Sequence, residues 1–180
     1  AIRRQRQMCI RDRGYLKASD VTVSGKTLSP VNTPEQAKAD VTVATAADKT
    51  KLSESINNSK NVKDSTTYKL SSSDLRNNYD KAVSDATAVN NNASATIAQV
   101  NEAVANINEA YAKLNGQKIV VANLNNLTLD EANQIVKLVA SVRNVPESNV
   151  QFSNNNTTLA IVSSNGYNET LNISDFVQQR

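Results

Sequence analysis

Three carboxylates, Asp74, Asp80 and Asp85, lie close enough in sequence to suggest the paired acids of glycoside hydrolysis, one protonating the leaving oxygen and one attacking or activating water. Helical spacing argues against it, because at about 100° per residue Asp80 and Asp85 stand roughly 140° apart around a helix. Lys81 with Asp85 and Glu109 with Lys113 are instead i,i+4 pairs, each worth about 0.2–0.5 kcal/mol on a solvated face. The serines Ser71, Ser72 and Ser73 offer hydroxyls, yet the chain has no His and no Ser-x-x-Lys pairing to activate one. Helix capping is the chemistry left to them. No Asp-x-Asp-x-Asp-Gly calcium loop and no Cys/His cluster occurs, so neither a metal site nor a cofactor is expected, and no catalytic residue is assigned. Of the five tyrosines, Tyr79 and Tyr111 fall on apolar helical stripes and are expected in a core. Tyr68 and Tyr167 are the candidates for surface contacts. Asn126-Leu127-Thr128, Asn156-Thr157-Thr158 and Asn168-Glu169-Thr170 have the form of glycosylation sequons, which an Asn-rich composition generates unaided.

The absence of His and Trp removes the usual general base, the commonest metal ligand and the strongest stacking residue for sugars or bases. A net charge of +3 suggests an anionic partner until its location is considered. Arg3, Arg4, Arg6, Arg11 and Arg13 crowd the first residues; without these five bases and Asp12, the totals of 20 and 17 become 15 basic and 16 acidic side chains. The remainder is nearly neutral, and no nucleic-acid partner is expected. No run is long and apolar enough to insert in a membrane. An aromatic content of 4% disfavours one large core and favours small modules in series.

Those modules can be drawn from periodicity. Residues 24–47 contain Pro30 and Pro34 and hold no sustained period, so they read as an extended linker in which only Val41-Thr42-Val43 could pair, locally. A first helix is expected from a cap at Asp48, with Leu52, Ile56, Ser59 and Val62 inward. A second follows the serine cluster, with Leu75, Tyr79, Ala82, Val83, Ala86 and Val89 on one stripe, and ends at Asn90-Asn91-Asn92. The third opens on Thr96-x-x-Gln99, a capping box, carries Val100, Ala103, Val104, Ile107, Ala110, Tyr111 and Leu114, and stops at Asn115-Gly116, where a left-handed glycine is expected. From Lys118 the period changes. A strand at 118–122 precedes a helix opened by Thr128-x-x-Glu131, with Ala132, Ile135, Val136, Val139 and Val142 on one face and Pro146 beyond its end. Val150 and Phe152, Leu159 and Ile161, and Leu171 and Ile173 then alternate as strands, with a hairpin signal at Asn165-Gly166. The predicted fold class is α+β: a three-helix bundle, then a small β-α-β-β-β unit in which one helix covers a meander, both behind an extended N-terminal linker.

Taken together, Tyr79-Asp80-Lys81-Ala82, Ala86, Val89, the Asn turn, Ala95-Thr96, Gln99-Val100, Ala103, Ile107, Ala110 and Leu114-x-Gly116 resemble the FIVAR module of Gram-positive cell-surface proteins, over residues 48–117. That resemblance implies a three-helix bundle, often in tandem, found in matrix-binding adhesins and beside carbohydrate-active domains. Residues 118–177 resemble the short spacer domains of lactobacillar adhesins, which end on a strand like Ser174-Asp175-Phe176-Val177. Residues 14–23, with Gly14-Tyr15-Leu16-Lys17-Ala18, resemble the closing strand of a surface-layer-type domain of lactobacilli. Residues 1–13 are different in kind: Met8-Cys9-Ile10-Arg11-Asp12-Arg13 resembles the in-frame translation of a transposase end sequence used as a sequencing adapter, which would make the only Cys and the only Met foreign to the protein. A chain without cysteine suits an exported surface protein.

These resemblances imply a fragment of a cell-wall-attached, extracellular protein of a Lactobacillus-like bacterium. The expected role is non-catalytic, a spacer that projects a distal domain or contributes to binding of host extracellular matrix, mucin or cell-wall glycan, with neighbouring modules of the same chain as its other partners. The alternative is an accessory module of a large extracellular carbohydrate-active enzyme.

Overall fold

The structure is a computed structural model that describes residues 22–23, 26–27, 34–153, 156–164 and 168–180. The adapter-like run at 8–13, the strand expected over 14–21, the Asn165-Gly166 turn and Tyr167 lie outside the described residues.

Two short strands, β1 (Thr22–Val23) and β2 (Lys26–Thr27), pair antiparallel across the boundary expected between residues 23 and 24. The segment expected as linker also contains a helix, α1 (Pro34–Val41). Pro34 does not interrupt it but opens it, since at the first helical position the missing N–H has no partner to lose and φ is already set. The Val41–Val43 stretch pairs at long range rather than locally. Val43 bridges Thr96, Ala44 N donates to Ala95 O at 2.8 Å, and Ile97 N donates to Thr42 O at 2.9 Å. This fixes the chain to the start of the third bundle helix.

The bundle consists of α2 (Thr50–Asp64), the single turn α3 (Thr66–Lys69), α4 (Ser73–Asn91) and α5 (Ile97–Lys113). Asp48 is not the cap of α2. Its Oδ2 accepts from Thr45 N at 2.8 Å and Thr45 Oγ1 at 2.7 Å, closing a turn two residues upstream, and α2 starts after Lys49 without a side-chain cap. Lys49 reaches instead to the far end of α4, where its Nζ donates to Asn90 O at 3.0 Å and Asn92 O at 2.7 Å. A cation there meets the negative end of the helix dipole and its orphan carbonyls. Ser72 caps α4, and Thr96 with Gln99 forms the full capping box of α5. Leu52, Val62, Tyr79, Ala86, Val100, Ala103, Ile107 and Leu114 are buried together with Ala44 and Ala95. Small alanines share this core with Tyr79, its largest fully buried side chain.

The second unit runs β3 (Ile119–Val121), α6 (Leu129–Arg143), β4 (Val150–Ser153), β5 (Thr158–Val162), β6 (Asn168–Asn172) and β7 (Val177–Gln179). The order read from periodicity has four strands; the ending strand that the spacer-domain resemblance implies at 174–177 lies instead at Val177–Gln179. Ile173 does not continue β6 but is buried in a 3₁₀ turn, Ile173–Asp175, after which β7 returns to pair in parallel with β3, Ile119 opposite Val177. The meander β4-β5-β6 is antiparallel, and Leu159 stands opposite both Phe152 and Leu171. The α6 capping box is present, and its end is a left-handed Asn144 at φ 54°, two residues before Pro146. Ile135, Val139, Ala140 and Val142 of α6 bury against Val121, Val150, Leu159, Ile161, Phe176 and Val177.

Candidate functional site

The acids and serines that could have done chemistry are dispersed by the fold. Asp80 sits on α4 and receives Tyr68 Oη, at 2.8 Å from each carboxylate oxygen, and Lys63 Nζ at 2.9 Å. Asp85 is held by Lys81 at 2.7 Å and Glu109 by Lys113 at 2.6 Å, both on exposed helix faces. No group of three His, Cys, Asp or Glu gathers among the described residues.

Tyr68, a candidate for surface contact, is half-buried. Its ring meets Tyr79 edge-on at 5.9 Å. Burial first, and then the hydrogen bond to Asp80, push its hydroxyl up to about 12. Tyr79 is 1% exposed and touches a third ring, Tyr111, at 6.5 Å. Tyr111 departs from expectation, being 53% exposed rather than in the core. It lies on the edge of the α5 stripe, where the bundle is too narrow to cover it. Ser55, Asn58 and Asn108 join Tyr111, Ile107 and Val62 around a groove of about 160 Å³ above the buried Tyr79. An exposed ring beside amides and a hydroxyl is a surface suited to a polar partner with apolar faces. Periodicity could not reveal this, because the same stripe that buries Val100, Ala103 and Ile107 also runs through Tyr111.

A second constellation joins the two units. Ser71 is fully buried. It caps nothing; its hydroxyl donates to Thr67 O at 2.7 Å and accepts from Asn115 N and Gly116 N, each at 3.0 Å. The crossing is so close that a Cβ on Gly116 would lie 2.3 Å from Leu70 C and Ser71 N, and 2.4 Å from Thr67 O. Glycine is required here for approach, not for the left-handed turn expected, since its φ lies outside that region. The neighbouring Leu70 turns away from the bundle into the core of the second unit, and Arg76 of α4 donates to Val142 O near the end of α6. Glu131 ties α6 to β3 in turn, accepting from Thr128 N at 2.8 Å and Ala122 N at 2.9 Å. These backbone N–H groups, with the Thr128 hydroxyl, hold its carboxyl below the usual range.

With this geometry in place, comparison with known proteins is informative for one segment. Residues 48–115 match the FIVAR domain family. FIVAR domains are small, non-catalytic modules found in cell-surface proteins. No curated protein and no solved structure matches the chain. No helix among the described residues is long and apolar enough to cross a membrane.

Proposed function

We propose that this chain is a non-catalytic spacer segment of an adhesin attached to the cell wall of a Lactobacillus-like bacterium, in which a FIVAR bundle and a following α+β unit act as one stiff link. The observation that carries this reading is the junction: Leu70, held beside the Ser71–Gly116 clasp inside the bundle, is shared with the neighbouring core, and Arg76 of α4 donates to Val142 O of the second unit. A stalk needs links that transmit orientation, and a hinge of flexible linker would not supply it. At about 1.5 Å per residue, the 19-residue α4 gives the bundle alone a length of roughly 28 Å. Spin labels on α4 and β5 test this: a single narrow distance distribution is expected, and a broad one would reject the stiff link.

The exposed Tyr111 groove favours a second reading, that the bundle itself contributes to binding matrix protein, mucin or cell-wall glycan. Immobilised mucin, fibronectin and peptidoglycan distinguish it. Retention that Tyr111→Ala abolishes supports binding; no retention at high concentration leaves only the spacer. An accessory role in an extracellular carbohydrate-active enzyme is decided by extending the reading frame in both directions. The same experiment, with DNA prepared without a transposase adapter, tests the proposal that residues 8–13 are adapter-derived: those codons should vanish.

A further inference from the structure

Between the bundle and the α+β unit lies a cleft of about 380 Å³ with a floor that includes Leu70 and Phe176. Lys69 and Arg76 reach it from the bundle, Lys118 and Arg143 from the second unit, and Asp175 is the one acid on its wall. In a chain that is nearly neutral beyond residue 13, four cations around one opening are a local concentration rather than a consequence of composition.

Their partners are unequally distributed. Arg143 is held by Glu169 through two hydrogen bonds, at 2.9 and 3.0 Å. Lys118 Nζ donates to Ser174 O at 2.6 Å. Arg76 spends one terminal nitrogen on Val142 O, while its Nε is buried and has no acceptor. Lys69 makes no ion pair or side-chain hydrogen bond among the described residues, and Asp175 stands beyond ion-pair distance of all four. A guanidinium N–H withdrawn from water without an acceptor is a costly arrangement, and like charges gathered around one opening add to the cost. A group with several anionic oxygens, seated against the terminal nitrogens of Arg76 and the Lys69 ammonium, offsets the gathered charge, while the buried Nε–H stays out of its direct reach. Arginine's planar fork suits phosphate in particular, and a nearby ammonium adds charge without demanding direction.

We propose that this inter-unit cleft binds a phosphate group, seated toward Arg76 and Lys69 and away from Asp175. The proposal does not depend on the spacer reading. The shared chemistry has two sources, a small phosphate ester or a phosphodiester polymer such as polyglycerol phosphate. The test is a titration of the whole chain at pH 7 with inorganic phosphate in one arm and short polyglycerol phosphate in the other, followed through the Nε–H resonance of Arg76. That resonance distinguishes binding at the cleft from general attraction of anions to the arginines at 3–13. A saturable shift is expected, together with a roughly fivefold weaker affinity in Lys69→Gln, the upper range for a partly solvated charge contact. Lys69 is exposed, so this variant should fold even if an Arg76 variant does not. Tighter binding of the polymer than of inorganic phosphate assigns the site to a phosphodiester, and the reverse assigns it to a small ester. An Arg76 resonance unmoved in both arms, or equal affinities of Lys69→Gln and the unsubstituted chain, overturns the proposal.

Discussion

The bundle and the α+β unit are closed in different ways. The bundle is built from neighbours in sequence: α4 and α5 pack along most of their length, and their connection at residues 92–96 is short. Its core is Tyr79 surrounded by Leu, Val, Ile and a set of alanines. The α+β unit is closed by its first and last strands, β3 and β7, in a parallel pair. Its core is mostly β-branched, with Val121, Ile135, Val139, Val142, Val150, Ile161 and Val177. Both units use long-range contacts, Val43 with Thr96 and Ser71 with Gly116 in the bundle, but only the α+β unit joins its own first and last elements. The junction makes the difference consequential, because Leu70 lies within the FIVAR-matching segment yet fills the other core.

Leu70→Ala therefore tests the comparison most severely. A loss of about 3 kcal/mol is expected, with hydrogen exchange accelerated in β3, β7 and α6 more than in α4 and α5. Acceleration confined to the bundle would return Leu70 to its own module. Gly116→Ala forces a methyl onto the backbone of Leu70 and Ser71 and should cost up to about 3 kcal/mol by overpacking, read from chemical denaturation. Ser71→Ala removes the acceptor of two backbone N–H groups and should cost about 2 kcal/mol. Ser72→Ala, one residue on, loses only a helix cap, at about 1 kcal/mol, and serves as its control.

The smallest effects are in pH. Glu131 binds its proton less readily in the folded protein than in the unfolded chain, so the unfolded state takes up more protons as acid is added. The stability it contributes is present above the ordinary carboxylate range and is lost as pH falls through its lowered value. Glu131→Ala should flatten the acid limb of the stability curve. Tyr68 is the opposite case. Its hydroxyl is pushed up to about 12 from 10.0, so the unfolded chain ionises first and stability falls between those values. Ultraviolet titration should show Tyr68 ionising late together with Tyr79, which burial also pushes up, and Tyr68→Phe should remove the Tyr68 share of that alkaline loss.

What the sequence made legible follows the same division. The α4 and α5 stripes, both capping boxes and the i,i+4 ion pairs depend on residues within a turn or two of each other, and apart from Tyr111 the structure shows them as read. The helix at Pro34–Val41 was hidden because proline marks a helix start as readily as a break, and the pairing of Val43 with Thr96 because its partner is far along the chain. The β7 strand has three residues, too few to show a period, and its parallel mate has no local signal. At the candidate sites, Ser71 looked like one of three interchangeable caps, and nothing in its type distinguishes a buried clasp from its neighbour Ser72. Tyr111 was misplaced for a related reason, since a stripe gives direction around a helix but not how far the neighbouring helices extend over it.

In the proposed spacer, the FIVAR-matching bundle and the α+β unit form one stiff link. Backbone ¹⁵N relaxation of the whole chain measures this directly, by comparing rotational correlation times for residues 50–113 and 119–179. One shared correlation time is expected, appropriate to a single body containing both units. Two separate, shorter times would contradict the account and leave Ser71, Gly116 and Leu70 as packing details of independently tumbling modules.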